Sequence, residues 1–329
     1  MALGERGIIS QLIRPLMTEK HGNILLDDCA VFEVGAVSPL LLTTDQGPAR
    51  SFMEILDVGT PSDLAHFHVT MNVSDVAAMG GTPVGMLLVL ALTPGDTVQY
   101  LREYLDGLKV AMSDYGICLF GGDTKQARVR STTITLIGRA SVAGLLRRDG
   151  ARLGDSIFVT GPPIGTAISS FILAARDKSK GVKTDIFRPR AQVSAGRELI
   201  ESGICTSCMD MSDGLLASAE QLADASNLTF HIDFDKVPFA PAPSKSLHES
   251  WKNFVANVGG DFGLMFTASS DTIPVADKIG ATLIGTAGAR NGHGLSHEEL
   301  KRSGITLKAW EQFKTVGPIS DELQAFIGA

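Results

Sequence analysis

Apolar and polar positions along this chain switch repeatedly between a period of two and a period near 3.6, and the switches outline its elements. Ser38–Thr44 is an apolar run that turns polar at its end, a strand pattern. Ser62–Gly80 sets Leu64, Phe67, Met71 and Ala78 near helical spacing, with Ser62 placed as an N-cap. Met86–Leu92 reads as a strand, and Thr97–Tyr115 as an amphipathic helix closed by Gly116. Ile117–Phe120 is expected as a short buried strand leading into Gly121-Gly122, and Thr132–Ser141 as another strand. The charged, turn-rich stretch Arg147–Asp155 interrupts the pattern. Beyond it Ser156–Thr160 reads as a strand, Gly161–Gly165 as a loop, and a helix begins near Thr166. Lys178–Arg190 is basic and aperiodic, an expected exposed loop. Strands and helices interleave throughout, which predicts a mixed α/β (α+β) chain divided near Leu146 into domains 1–146 and 147–329. No tandem repeat interrupts this reading.

A chain of 329 residues with 44% hydrophobic content can bury two cores. Its net charge of −7 argues against a nucleic-acid or anionic-membrane partner. Four cysteines give no disulfide framework and point to a reducing compartment. The N-terminal stretch scatters its charges and has no apolar core of the kind a signal peptide needs. No run reaches the ~18 apolar residues of a membrane helix. The expectation is a cytoplasmic protein.

The chemistry gathers on aspartates. Five segments place them at strand or loop ends or within an apolar helix: Leu26-Asp27-Asp28-Cys29-Ala30, Thr43-Thr44-Asp45, Asn72-Val73-Ser74-Asp75, Gly121-Gly122-Asp123-Thr124 and Asp210-Met211-Ser212-Asp213-Gly214. Asp75 is the most informative. It sits among Met71, Val73, Val76, Ala77, Ala78 and Met79, with no lysine or arginine in the segment to pair with it. A buried carboxylate costs several kcal/mol unless it is paired or bound to a cation. Mg²⁺ is a suitable partner, since it takes carboxylate oxygens and shares them with substrate phosphates. Taken singly, Asp45 can end a strand, Asp123 can cap a turn and Asp213-Gly214 is an ordinary turn dipeptide. Together they are harder to read that way. The chain has no P-loop, no protein-kinase segments and no strand-linked GxGxxG, so any nucleotide must be held through metal-bridged phosphates and backbone amides.

At these residues the chain resembles thiamine-monophosphate kinase, within the superfamily that includes aminoimidazole ribonucleotide synthetase, selenophosphate synthetase and the hydrogenase-maturation dehydratase. DDCA, TTD, MNVSDVAAMGGTP, GGDT, LRRDGARLGD, RPRAQVSAGREL and DMSDGL match that kinase's segments in order. The resemblance implies a two-domain PurM-like fold: an N-terminal domain forming a dimeric β-barrel flanked by helices, and an α+β C-terminal domain. It implies ATP and Mg²⁺ as cofactors, a small-molecule substrate and a homodimer. Asp28, Thr43, Thr44, Asp45 and Asp75 match metal-binding positions. Gly122 and Asp123 match the segment that meets phosphate and metal, with Lys125 beside them. Arg148 and Ser212 match ATP contacts, and Asp210 and Asp213 further metal ligands. Asp45, Asp123 and Asp213 are the candidate catalytic carboxylates.

The family pattern breaks on the acceptor side. The kinase follows TTD with a segment ending Gly-x-His-Phe; here Gln46-Gly47-Pro48-Ala49-Arg50-Ser51-Phe52 has no histidine. The kinase's GGEDYE becomes Gly259-Gly260-Asp261-Phe262-Gly263, which lacks both glutamates. Leu26 replaces a glycine, and Gln126 an arginine. An acceptor other than thiamine phosphate is therefore expected. Lys125 leans toward the dehydratase, but the chain ends Phe-Ile-Gly-Ala without that enzyme's terminal cysteine. Two alternatives stand beside phosphoryl transfer: ATP-driven activation of an amide oxygen, as in the cyclising and dehydrating relatives, and a nucleotide-binding protein without turnover.

Other residues read as structural. Cys205-Thr206-Ser207-Cys208 lacks a second CxxC for zinc and reads as two partly buried thiols ahead of a strand rather than a redox pair. His66 and His68 point to different helix faces. Gly161–Gly165 reads as a tight strand-to-helix connection before it reads as a phosphate loop. Trp310 matches loosely the family's substrate-stacking tryptophan, with a core aromatic as the alternative.

Overall fold

Two five-stranded sheets carry the chain, whose computed structural model describes residues 11, 27–34, 37–47, 51–176, 187–242, 248–307 and 326. The first sheet is built from β1 (Ala30–Val34), β2 (Val37–Gln46), β3 (Thr82–Leu92), β4 (Cys118–Gln126) and β5 (Ser131–Arg139), in the order β1-β2-β5-β3-β4. Its pairings are antiparallel except β3–β4, which are parallel. Strand β5 alternates, turning Thr132, Ile134 and Leu136 inward, the period-two pattern its sequence shows.

Helix α1 (Phe52–Leu56) and helix α2 (Pro61–Ala78) follow β2. The cap of α2 is Thr60, not Ser62. The Thr60 hydroxyl accepts from Asp63 N at 3.2 Å, and the Asp63 carboxylate accepts from Thr60 N at 3.0 Å. The capping box and Pro61 at the first helical position together move the start two residues upstream. Beyond its first turn α2 is buried on every side but one: Phe67, Met71 and Asp75, spaced four residues apart, form the stripe left half-exposed.

Helix α3 (Val98–Tyr115), capped by Thr97 and ended by Gly116, packs tightly on α2. At Gly107 a Cβ would lie 2.1 Å from the Ser62 carbonyl oxygen. Strand β4 departs from expectation. It runs through Gly121-Gly122 to Gln126 and is exposed along its length, with Leu119 and Phe120 45% and 55% accessible. An apolar run reads alike in a core and at an edge, and β4 is an edge strand paired with β3 alone.

The second sheet comprises β6 (Ser156–Val159), β7 (Cys205–Asp210), β8 (Leu228–Ile232), β9 (Leu264–Ala268) and β10 (Thr282–Ala289), antiparallel in the order β7-β9-β6-β10-β8. Around it lie α4 (Thr166–Arg176), α5 (Val193–Ser202), α6 (Leu215–Ala225), α7 (His248–Ala256), α8 (Ile273–Lys278) and α9 (His297–Ser303). One core forms beneath α6 with Met209, Leu216, Leu222 and Phe230. Another joins stacked Phe158 and Phe266 to Leu199 of α5 and Ala78 of α2, so α2 belongs to both halves of the molecule. At Gly196 of α5 a Cβ would sit 2.0 Å from the Ala77 carbonyl oxygen.

The expected exposed loop 178–190 lies outside the described residues up to position 186. Its end is not exposed as expected: Phe187 is buried and stacks on Phe171, and Arg188 pairs with Asp63 at 2.7 Å. The Gly161–Gly165 loop serves connection. The Asp261 carboxylate already accepts from Gly165 N and Ala167 N at the start of α4, at 2.6 and 2.8 Å. Among the described residues no helix is long and apolar enough to cross a membrane.

The two backbone approaches predict that Gly107→Ala and Gly196→Ala each lower stability by about 1–3 kcal/mol, the usual cost of overpacking. Urea unfolding midpoints check this; an unchanged midpoint would mean the helices separate freely.

Candidate metal and nucleotide site

Strand β2 places Thr43 and Asp45 on one face and Thr44 on the other, as strand alternation requires. The Thr43 hydroxyl donates to Asp75 Oδ2 at 2.5 Å. The backbone N–H of Asp45 donates to Asn72 Oδ1 at 3.2 Å, which ties β2 to α2 a turn from Asp75. Asp28 arrives on the segment before β1, and Asp210 ends β7. Asp28, Asp75 and Asp210 each offer a carboxylate oxygen within 4.8 Å of the other two.

Their partners are few. Arg148 reaches Asp28 with two nitrogens, at 2.6 and 3.2 Å, and Gln221 with a third at 3.1 Å. Its backbone N–H donates to Asp27, which also pairs with Arg147 at 2.6 Å. Asp210 is 1% exposed; its Oδ1 accepts from the Ser212 hydroxyl at 2.9 Å, while Oδ2 is buried without a well-formed hydrogen bond among the described residues, although the nearby Ser74 hydroxyl favours its charge. Burial, then the charge of Asp28, pushes the Asp210 carboxyl up to about 7. Burial, then the neighbouring Asp213, pushes Asp45 up to about 6. Burial and the charges of Asp210, Asp45 and Asp28 raise Asp75 well above the ordinary range. Three convergent carboxylates, one poorly satisfied buried oxygen and a single guanidinium suit a hard divalent cation.

The expected residues divide into two groups. Asp28, Thr43, Asp45, Asp75, Arg148, Asp210 and Ser212 come together, and Asp213 sits on the exposed turn close enough to act on Asp45. Thr44 does not join them: it faces outward, its hydroxyl donating to Ile134 O at 3.2 Å and lying 3.0 Å from the Thr135 hydroxyl. Asp123 and Lys125 pair at 3.0 Å on exposed β4, outside the three-carboxylate cluster, and that lysine holds Asp123 below the usual carboxylate range. Asp123 lies mid-strand, so it caps no turn. Gly122 has no room for a side chain, since a Cβ would lie 1.7 Å from the Leu88 carbonyl oxygen.

Asn72, bonded to the Asp45 N–H, and Gln221, bonded to Arg148, are contacts of the cluster that sequence reasoning missed. Asn72, a polar residue three before Asp75 in an apolar helix, carried the detectable signal. In the Gly259–Gly263 segment, a Cβ on Gly259 would lie 1.6 Å from the Ser212 carbonyl oxygen, so this backbone buttresses the loop after Asp210. Phe262 adopts φ +52° and packs edge-on against Phe67 at 5.2 Å. His66 and His68 are buried, His66 lying 3.2 Å from Asp114 and His68 2.8 Å from the Tyr104 hydroxyl, and burial lowers His68 to about 4. Trp310 lies outside the described residues. Cys205 and Cys208 lie within β7 rather than ahead of it.

Residues 26–144 match the family described as AIR synthase related protein, N-terminal domain, and residues 152–269 match the corresponding C-terminal domain. Fold and sequence together thus define a two-domain, mixed α/β PurM-like protein. The thiamine-monophosphate kinase of Pyrococcus horikoshii is 31% identical over 93% of this chain and 96% of its own length. That of Escherichia coli K12 is 32% identical over 73% and 74%. A solved structure described as AaThiL complexed with AMPPCP and TMP superposes with a TM-score of 0.79 at 26% identity, covering 95% of this chain and 98% of that one. The hydrogenase maturation protein HypE in complex with ATP shares the fold, with a TM-score of 0.63 at 20% identity over 86% of each chain. The chain belongs to the thiamine-monophosphate kinase family and is an ATP-dependent kinase-like transferase.

The raised carboxylates give a pH signature. Unfolded aspartates titrate near ~4, whereas Asp45 and Asp210 titrate at about 6 and about 7 in the fold. Between those values the folded chain holds more protons than the unfolded one, so metal-free stability declines as pH rises through that window. Melting curves in chelator are expected to shift downward from pH 5 to 7.5, and Mg²⁺ to recover the loss most fully at the upper end. Asp210→Asn should flatten the profile; a wild-type midpoint indifferent to pH would contradict the assigned protonation.

Proposed function

We propose that this protein transfers a phosphoryl group from Mg²⁺-bound ATP to a small-molecule acceptor other than thiamine phosphate. The convergence of Asp28, Asp75 and Asp210, with the poorly satisfied Oδ2 of Asp210 among them, carries the metal half of this reading. Mg²⁺ supplies charge neutralisation and alignment of the phosphate oxygens. The chain's part is placement. Thr43 orients the Asp75 carboxylate, Asn72 fixes the β2 backbone at Asp45, and Arg148, held by Gln221, adds positive charge beside Asp28. Ser212 offers a hydroxyl from the loop that Gly259 supports. Asp45 and Asp213 flank the buried carboxylates on the side open to solvent, where an acceptor approaches.

The altered acceptor rests on Asp261. In the segment that replaces the family's GGEDYE it is the sole carboxylate, and it is spent on the amides at the start of α4, leaving none from that segment for a substrate. Amide-oxygen activation is the second reading, favoured by Lys125 after GGDT, and it predicts ADP with free phosphate rather than phosphate on the product. A protein without turnover has no evident reason to hold three converging carboxylates against their repulsion.

A homodimer belongs to the same reading. The apolar surface that β3 and β4 leave exposed, with Leu87 and Val89 on β3 and Leu119 and Phe120 on β4, supports a second copy completing a barrel there and enclosing Gly122, Asp123 and Lys125. The division at 146/147 fits the first sheet ending at Arg139 and the second beginning at Ser156. The acidic balance supports a cytoplasmic protein without nucleic-acid or membrane partners.

The test is titration calorimetry with ATP and Mg²⁺, followed by a metabolite screen read by ³¹P NMR. Asp75→Asn should weaken Mg²⁺-dependent ATP binding at least about tenfold while the fold persists. Failure of the wild type to bind nucleotide at millimolar Mg²⁺·ATP would overturn both enzymatic readings; phosphorylation of thiamine phosphate would overturn the altered acceptor.

A further inference from the structure

Cys205 and Cys208 stand three apart in β7, a spacing that in a regular strand turns side chains to opposite faces. Here it does not. Cys205 pairs with Ala268, Ser207 with Thr267 and Cys208 with Phe266, so Thr206 is an extra residue bulged out of the ladder. The bulge is fastened on one face, where the Thr206 and Ser207 hydroxyls lie 2.6 and 2.7 Å from the Thr267 hydroxyl and Thr206 donates to Asp155 at 2.6 Å. The two cysteines consequently share the other face, packed with Leu199, Phe266 and Ala268. Both are free thiols.

Same-face neighbours along a strand have Cα atoms about 6.6–6.8 Å apart, whereas a disulfide favours about 5.5–6 Å and tolerates up to about 6.8 Å. A bond between these sulfurs is therefore reachable, and forming it shortens this stretch of β7 by up to about 1 Å. Access is graded. Cys205 is half-buried, its thiol donating to the Ser207 carbonyl at 3.2 Å, and it contributes to a cavity of about 460 Å³ that Arg152, Asp155, Thr206 and Asp271 also line, while Cys208 is fully buried.

We propose that Cys205 and Cys208 form a thiol–disulfide couple that takes its oxidising equivalents from low-molecular-weight disulfides and that weakens the carboxylate cluster when oxidised. The Cys205 sulfur attacks the small disulfide, its S–S bond breaks, and one small thiol leaves carrying the Cys205 proton. The Cys208 sulfur then attacks Cys205, the mixed disulfide breaks, and the second small thiol leaves with the Cys208 proton. Two protein thiols are oxidised and one small disulfide is reduced to two thiols.

Strand β7 carries the consequence. Asp210 is the next residue on the same face after Cys208. The Cys208 N–H donates to the Arg147 carbonyl at 2.8 Å, one residue from the arginine that holds Asp28. Contraction at the bulge therefore displaces two arms of the cluster. This coupling rests on the metal reading; the disulfide itself does not.

The experiment treats the full-length protein with oxidised glutathione, maps its peptides by mass, and measures Mg²⁺ binding before and after. The wild type is expected to lose two hydrogens from the peptide spanning 205–208, and Cys208→Ser to stop with one glutathionyl group on Cys205. Oxidation should weaken Mg²⁺ binding about tenfold, reversibly with dithiothreitol, and leave Cys205→Ser unaffected. No 205–208 disulfide under excess oxidant, or glutathione on Cys118 alone, would overturn the couple. A disulfide that forms without changing Mg²⁺ affinity would overturn the coupling. Reduced protein that binds no Mg²⁺ would instead defeat the metal reading, while the peptide map still decides the couple.

Discussion

Helix α2 is wrapped on every side except one narrow stripe, and that stripe ends in a carboxylate. The architecture follows from satisfying this arrangement. The sheet covers one flank, α3 and α5 cover others at contact distances that Gly107 and Gly196 make possible, and β7 of the second sheet closes against the C-terminal end. Phe67, Met71 and Asp75 are left half-exposed, with Phe262 against Phe67 and the Thr43 hydroxyl on Asp75. Asp75 cannot be left alone there, since desolvating an unpaired carboxylate costs several kcal/mol. The chain supplies one hydroxyl, from Thr43, and two further carboxylates that aggravate the problem. On the metal reading proposed above, such an arrangement would make ion binding and folding stability two expressions of one free energy.

Much of this was legible in the sequence because it depends on local chemistry. An aspartate in an apolar helix with no cationic neighbour within the segment is a linear signal, and that aspartate lies in α2 beside two further carboxylates. Turn and strand ends at Asp28, Asp45 and Asp210 were legible for the same reason. What escaped depended on partners distant in sequence. Thr44 shares its tripeptide with Thr43 and Asp45, yet strand alternation turns it away from them. The Ile117–Phe120 run looked like core because apolarity does not say which side of a sheet ends at solvent. Arg188 looked like part of a basic loop because its acidic partner, Asp63, lies more than a hundred residues upstream. Thr-Pro-Ser-Asp contains the whole capping box of Thr60, a local signal that Ser62, nearer the apolar run, masks in the sequence.

The acceptor side presents a different constraint. Gly259 must lie close to the loop after Asp210, where a Cβ would collide with the Ser212 carbonyl oxygen. The segment's backbone role is thus fixed by the metal loop, whatever its side chains do. Only the side chains are free to vary with substrate, and here they turn inward. Asp261 caps α4, and Phe262 accepts a left-handed backbone conformation, one costing of order 1–3 kcal/mol for a bulky residue, to bury its ring against Phe67. That strain is informative about where selection acted. The ring it places meets the same half-exposed stripe of α2 that leads, by way of Met71, to Asp75. Next to Asp75 that stripe is therefore apolar rather than acidic. On the proposed function, a substrate beside this stripe would find no free carboxylate from the Gly259–Gly263 segment, and its recognition there would fall to shape and apolar contact.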